Sequence, residues 1–207
     1  MLFPTFALAA LFPITAVSAA STGHAALETR VTVRGILQDA IDAANGAKAA
    51  IDKEVQNIEK YIAQQKLSTF FSIEKSLVNI ESQLSTTLSF AEPLIVNFTY
   101  PLADSELDEL PAYVQNVNAI VADIETVSNA ILASKPTLTK LLAAPEVVII
   151  IGTANTLVQT VTTFANQALT GQSGPVADSV RQTLSAIASI IALLIGPIIK
   201  AFQLLLK

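Results

Sequence analysis

The sequence predicts an all-α protein: a single bundle of five or six antiparallel amphipathic helices that ends in an apolar helical hairpin. Hydrophobic residues make up 52% of the 207 residues, which is enough for one domain with a sizeable core. They recur at steps of three and four, the spacing of one helix face. Gly is scarce, Trp is absent, and the stretch 147–177 carries no charged residue.

The first twenty residues are expected to be a secretory signal peptide, with the helical-bundle domain occupying residues 21–207. Leu2–Val17 is an apolar run, and Val17–Ala19 and Ser18–Ala20 both offer small residues at the spacing of a cleavage site. No Lys or Arg precedes the run, so an uncleaved anchor is the alternative. The predicted location is therefore secreted, either extracellular or in a cell wall.

Composition excludes several function classes. Only 14% of the residues are charged and the net charge is −5, so the chain has no basic surface for nucleic acid. The absence of Cys removes disulfides, thiolate nucleophiles and Cys-type zinc sites together. The stability of a secreted form must then come from packing.

The first two helices are predicted from their apolar stripes. The first runs from about Leu27 to Gln65, with a bend expected at Asn45–Gly46, and the second is expected to end or kink at Pro93. The first stripe comprises Val33, Leu37, Ile41, Ala44, Ala47, Ile51, Val55, Ile58 and Ile62. The second comprises Phe70, Ile73, Leu77, Ile80, Leu84 and Leu88. Leu94–Pro111 is interpreted as a connection with a short turn of helix.

The second half of the chain is divided by prolines. Pro111 suits the first turn of a third helix, whose stripe comprises Val114, Val117, Val121, Ile124, Val127 and Ile131. Pro136–Ala144 is expected to be a short helix that closes at Pro145, which opens a fourth long helix. Thr170–Pro175 reads as a turn. The last helix follows, with a kink expected at Gly196–Pro197, and it is expected to form a central pair with the fourth.

Three segments resemble the fungal hydrophobic surface binding protein A family, which includes cell-wall galactomannoproteins. They are the helix end Ala130–Pro136, the apolar start Val147–Ile149 and the helix end Phe164–Leu169, and the likeness covers roughly residues 31–170. The resemblance implies a secreted all-helical bundle that adsorbs to hydrophobic surfaces and, in some members, encloses fatty acids. The chain departs from anchored members because it lacks a Ser/Thr-rich tail, and its last helix has an unusually apolar end.

No catalytic constellation is recognisable, so the protein is predicted not to be an enzyme and to need no cofactor or metal. The sole histidine, His24, lies just after the expected cleavage point and has no nucleophile to serve. Gly171–Gly174 lacks the final Gly of a nucleophile elbow and reads as a turn. Asp104, Glu106 and Asp108 have the spacing of a calcium loop start but lack its Gly and closing Glu, which favours a solvated acidic helix start.

Apolar surface in excess of one stripe per helix points to a hydrophobic partner. The helices after Pro145 and Pro175 are apolar over most of their circumference, so they must be central or must face something other than water. An ordinary core without a cavity is the alternative. The residues expected to line an apolar ligand are Phe70, Ile73, Leu77, Val121, Ile124, Ile151, Leu157, Val161 and Phe164. Asn97, in the motif Asn97–Thr99, is the predicted glycosylation site.

The functional prediction is a secreted non-enzymatic protein that binds fatty acids or other lipids, adsorbs to hydrophobic surfaces, or does both. Its predicted partners are a hydrophobic ligand or surface, with cell-wall association and no nucleic acid. A structural or lipid-anchored cell-wall protein without a ligand is the alternative. Ile187–Leu206 also has the length of a transmembrane helix, and Ser173–Gly174 with the apolar tail fits a lipid-anchor signal. Lys200 argues against both.

Overall fold

The computed structural model describes residues 24–64, 66–97, 100, 102, 104–134 and 137–205, with side chains from residue 35 onwards. The expected signal peptide, residues 1–20, and the side chain of His24 lie outside the described part. The described residues are mostly helical and include no strand. The helices are α1 His24–Ala63, α2 Phe70–Asn97, α3 Asp104–Leu107, α4 Leu110–Ala133, α5 Thr137–Ala168, α6 Pro175–Leu193 and α7 Ile199–Leu205.

Two helical hairpins make the centre of the bundle. α1 pairs with α2 and α4 pairs with α5, and the hairpins meet because α1 packs on α4 and α2 packs on α5. The four helices therefore form a closed square in which α1 faces α5, and α2 faces α4, across the diagonal. Each helix turns its apolar stripe inward. Leu37 on α1, Leu84 on α2, Ile120 on α4 and Leu157 on α5 have no exposed surface.

The two hairpins have the same orientation in the bundle, so that corresponding helices are parallel. Glu54 near the end of α1 accepts a hydrogen bond of 2.7 Å from Ser76 near the start of α2, as expected for antiparallel neighbours. The starts of α2 and α5 share a groove in which Leu77 faces Ile149. α2 and α5 therefore run in parallel, and so do α1 and α4.

Two prolines do not break their helices as the sequence analysis expected. α2 continues past Pro93 to Asn97, and a single helix α5 runs through Pro145 where a short helix and a long one were expected. Proline removes one hydrogen bond and crowds the carbonyl of residue i−4. Tertiary packing overrides this cost, because Leu94 and Val147, which follow the two prolines, are both buried. The helix starts at Pro111 and Pro175 are confirmed.

The C-terminal hairpin is joined by the predicted turn, in which Gly171 and Gly174 have φ values of 75° and 112°. These left-handed angles require residues without a Cβ. α5 is central, but α6 lies on the outside of α4 and has little contact with α5, so the expected central pair is wrong for α6. At Gly196–Pro197, where a kink was expected, the helix has a π-helical turn, Leu194–Ile198, which leads into α7, and α7 packs on α5.

Candidate functional site

The interior of the four-helix square holds the residues expected to line a ligand. Eight of the nine are at most 1% exposed, and Phe70, the first residue of α2, is half-buried. They lie on three of the four walls, namely α2, α4 and α5. The fourth wall is α1, which contributes none of the predicted lining residues although its stripe is recognisable in the sequence. Leu37, Ile51 and Ile58 complete the enclosure with no exposed surface.

Small side chains occupy the middle of this interior. Ala44, Thr87, Val117 and Ala154 lie away from the ends of their helices. One of them belongs to each wall, and all are at most 1% exposed. Larger side chains such as Ile51 and Phe164 lie nearer the helix ends.

A groove of about 310 Å³ opens between α2 and α5 and is lined by Leu77, Val78, Glu81, Glu146 and Ile149. This volume is at the lower limit of the roughly 300–1,000 Å³ typical of small-molecule sites. Leu77 is the one predicted lining residue that contributes to it. The two carboxylates accept hydrogen bonds but repel anions, so the groove suits hydrocarbon better than an anionic head group.

Tyr113 supplies a polar group to the interior that the sequence analysis missed. The residue has no exposed surface, and its ring contacts Phe164 edge to face, with centroids 6.5 Å apart and planes at 69°. Its hydroxyl has no hydrogen-bond partner within the described part of the chain, and burial raises its pKa well above the ordinary value. The hydroxyl is available to donate one hydrogen bond to a water molecule or to the polar group of a ligand.

A second, polar groove of about 340 Å³ lies on the outside of the first hairpin and includes Lys53, Tyr61 and Lys75. Its centre is the carboxylate of Glu54, which accepts hydrogen bonds from Ser76 at 2.7 Å and Asn79 at 2.9 Å. Partial burial opposes ionisation, but these bonds outweigh it and the pKa of Glu54 is lowered. The network joins α1 to α2 and is a structural clamp.

The candidate metal and glycosylation residues are placed as follows. No group of three His, Cys, Asp or Glu side chains that could hold a metal ion occurs within the described residues. Asp104 and Asp108 are exposed, as a solvated helix start requires, but Glu106 between them is buried, contrary to expectation. Asn97 is exposed at the end of α2 and not within a connection; the rest of its motif lies outside the described part, so glycosylation stays a prediction.

Two segments, Thr139–Ala168 and Pro175–Leu204, are long and apolar enough to cross a membrane by length and composition. A buried core helix passes the same test, and the first segment belongs to α5, which packs on α2, α4 and α7 and has 44% of its most apolar window buried. The second segment has a mean hydropathy of 2.1, yet only 28% of its most apolar window is buried. Its exposed large hydrophobic residues are Leu193, Ile195 and Leu204, near the end of the segment.

Comparison with known proteins supports the fold. No family model matches the sequence, and no curated protein matches it. Among solved structures, the chain is similar to the crystal structure of AfMP4p in complex with palmitic acid, with a TM-score of 0.55 and 14% sequence identity. The match covers 80% of this chain and 99% of that chain. At this identity the likeness is one of fold, and it confirms the all-α bundle.

Proposed function

We propose that this protein is a non-enzymatic carrier that binds a fatty acid or a similar lipid between its helices. The observation that carries the proposal is the closed square of α1, α2, α4 and α5 around an apolar interior, in a fold similar to that of a protein solved with palmitic acid. The likeness covers 99% of that chain, so it is not confined to one part of the fold.

The energetics allow binding without an ionic clamp. Burial of about fourteen methylenes at about 0.8 kcal/mol each gives on the order of 11 kcal/mol. Association costs of roughly 4–15 kcal/mol offset much of this gain. Micromolar affinity for an acyl chain is then expected from apolar contact alone, with the polar end near a donor such as the hydroxyl of Tyr113.

The resemblance to the hydrophobic surface binding protein A family supports three further parts of the proposal. The protein is secreted after removal of residues 1–20, it adsorbs to hydrophobic surfaces, and it associates with a cell wall. The exposed side chains of Leu193, Ile195 and Leu204 favour adsorption. Glycosylation at Asn97 belongs to the same proposal, since the side chain is accessible at the end of α2.

The central experiment is lipid extraction. Organic solvent should release fatty acids or related lipids from the purified protein, and palmitate added to the delipidated protein should raise its melting temperature. A clean extract together with an unchanged melting temperature would leave the structural cell-wall protein as the better account.

A pair of variants locates the ligand. Ala154→Phe fills the middle of the interior and should abolish the palmitate-induced thermal shift. Ala49→Phe, on the exposed side of α1, should leave it intact. Full palmitate binding by a folded Ala154→Phe protein would place the ligand elsewhere. If Ala154→Phe does not fold, Ala154→Val supplies a milder test, in which a weaker thermal shift is expected.

A further inference from the structure

Exposed hydrophobic side chains concentrate at one end of the bundle. We call residues 50–81, 124–150 and 187–205 the apolar end, because they surround the starts of α2 and α5 and the end of α6. Residues 35–49, 82–123 and 151–186 form the acidic end. Seven of the nine exposed large hydrophobic residues lie at the apolar end. They are Phe71, Val78, Leu142, Ile149, Leu193, Ile195 and Leu204.

Two exposed helix stripes at the apolar end combine hydrophobic side chains with lysine. On α2 the stripe is Phe71, Lys75 and Val78, where Phe71 is 75% exposed and Val78 is 53% exposed. In α7, Leu204 follows Lys200 at the same spacing of four residues and is 64% exposed, and Leu193 is exposed just before the π-helical turn. A lysine within an apolar stripe buries its methylene stem along hydrocarbon while its ammonium reaches the water. This pattern is typical of helices that lie in a lipid–water interface.

The two ends also differ in their content of charged residues. Among described side chains, the acidic end has nine acidic residues and two basic ones, whereas the apolar end has seven acidic residues and six basic ones. The basic residues of the apolar end are Lys53, Lys60, Lys66, Lys75, Lys140 and Lys200. The acidic end would be repelled by lipid phosphates, and the nearly balanced apolar end would not. The charges therefore favour one orientation at a phospholipid surface.

The outer face of α6 and α7 is the largest part of this surface. The inner face of α6 and α7 already packs against the bundle, because Leu194 and Phe202 are buried. On the outer side, Leu193, Ile195 and Leu204 are exposed, whereas residues 178–189 expose polar and small side chains. A second copy of the chain is a poorer partner than lipid, because a symmetric contact would bring the lysines of the two stripes together away from water.

We propose that the apolar end docks on the surface of a phospholipid bilayer, with α7 and the start of α2 inserted at the boundary between head groups and acyl chains. The biological purpose of docking rests on the proposed function, because a carrier collects and releases its lipid at such a surface. Docking itself is measurable without any ligand.

The test uses the full chain and vesicles of pure phosphatidylcholine that contain no free fatty acid. The wild-type protein should float with the vesicles in a density gradient. The double variant Phe71→Gln with Leu204→Gln should weaken this partitioning by at least about tenfold, since two large side chains lose their apolar insertion. The matched variant Phe90→Gln with Val96→Gln removes exposed hydrophobic residues at the acidic end and should change partitioning by less than about twofold.

Orientation is read from a fluorophore. The chain contains no Cys, so Gln203→Cys on α7 and Val96→Cys on α2 each give a single labelling site. An environment-sensitive dye should shift to the blue on vesicle addition at residue 203 and should not shift at residue 96. Equal shifts at both sites, or equal flotation of the two double variants, would overturn the proposal.

The outcomes separate docking from ligand binding. Palmitate binding with no flotation of the wild type would overturn docking and leave the proposed function intact. Flotation with no palmitate binding would support docking and remove the carrier function. A dimer in sedimentation that Phe71→Gln with Leu204→Gln converts to a monomer, with flotation unchanged, would show that a second copy covers the surface and would overturn lipid as the partner.

Discussion

Tyr113→Phe should make the ligand-free protein more stable. The substitution removes one oxygen atom and keeps the ring, so the edge-to-face contact with Phe164 at 6.5 Å is retained. The hydroxyl that is lost is fully buried and has no partner within the described structure. Removing it therefore takes away a desolvation penalty without breaking a hydrogen bond.

The expected gain follows from that penalty. Leaving a buried hydroxyl unpaired costs about 1–3 kcal/mol. The free energy of unfolding of the variant should rise by that amount. For a chain of this size the melting temperature should increase by roughly 2–4 °C for each kcal/mol.

The assay is urea unfolding of the delipidated protein followed by far-UV circular dichroism, which is suited to a helical chain without Trp. Tyr61→Phe is the matched control, because Tyr61 is half-buried beside the polar groove. It should change stability by less than about 0.5 kcal/mol. A loss of about 1 kcal/mol or more in Tyr113→Phe would show that the hydroxyl has a partner and would refute the reasoning.

Two more predictions concern charged groups between helices. Burial, with a contribution from Asp52 opposed by Lys48, raises the pKa of Asp123 to about 6 from 3.8. The folded state then binds the proton more tightly than the unfolded state, so the free energy of unfolding should fall as pH rises through this interval. In urea titrations at several pH values, Asp123→Asn should flatten that dependence. A pH dependence equal to that of the wild type would contradict the assignment to Asp123. Glu54→Ala should cost about 1–3 kcal/mol in thermal unfolding, because the hydroxyl of Ser76 loses its acceptor, and an unaltered transition would show that the clamp is dispensable.

Periodicity predicted the long helices and their inward faces, because an amphipathic stripe is encoded locally. The stripes through Leu37, Leu77 and Val121 became three walls of the interior as expected. The helix breaks expected at Pro93 and Pro145 were predicted wrongly, because helix continuity there depends on contacts that are not local. Proline acts on its own turn, whereas the buried neighbours that hold the helix together come from distant parts of the chain.

The site was predictable only in outline. Burial of the expected lining residues followed from the stripes, but the α2–α5 groove depends on which turns of the two helices meet. That register is set by packing between helices that are far apart in the sequence. The unpaired hydroxyl of Tyr113 is equally invisible in the sequence, since it depends on an absence of partners in three dimensions.

The stacking of two hairpins has a consequence for how the halves of the molecule hold together. The clamp formed by Glu54, Ser76 and Asn79 lies inside the first hairpin. The faces that join the hairpins carry side chains such as Ile51, Val121 and Leu157, which are hydrocarbon. Hydrophobic attraction is non-directional and weakens on cooling. The attraction that holds the two hairpins together therefore weakens on cooling, whereas the hydrogen bonds of the clamp within the first hairpin do not depend on it.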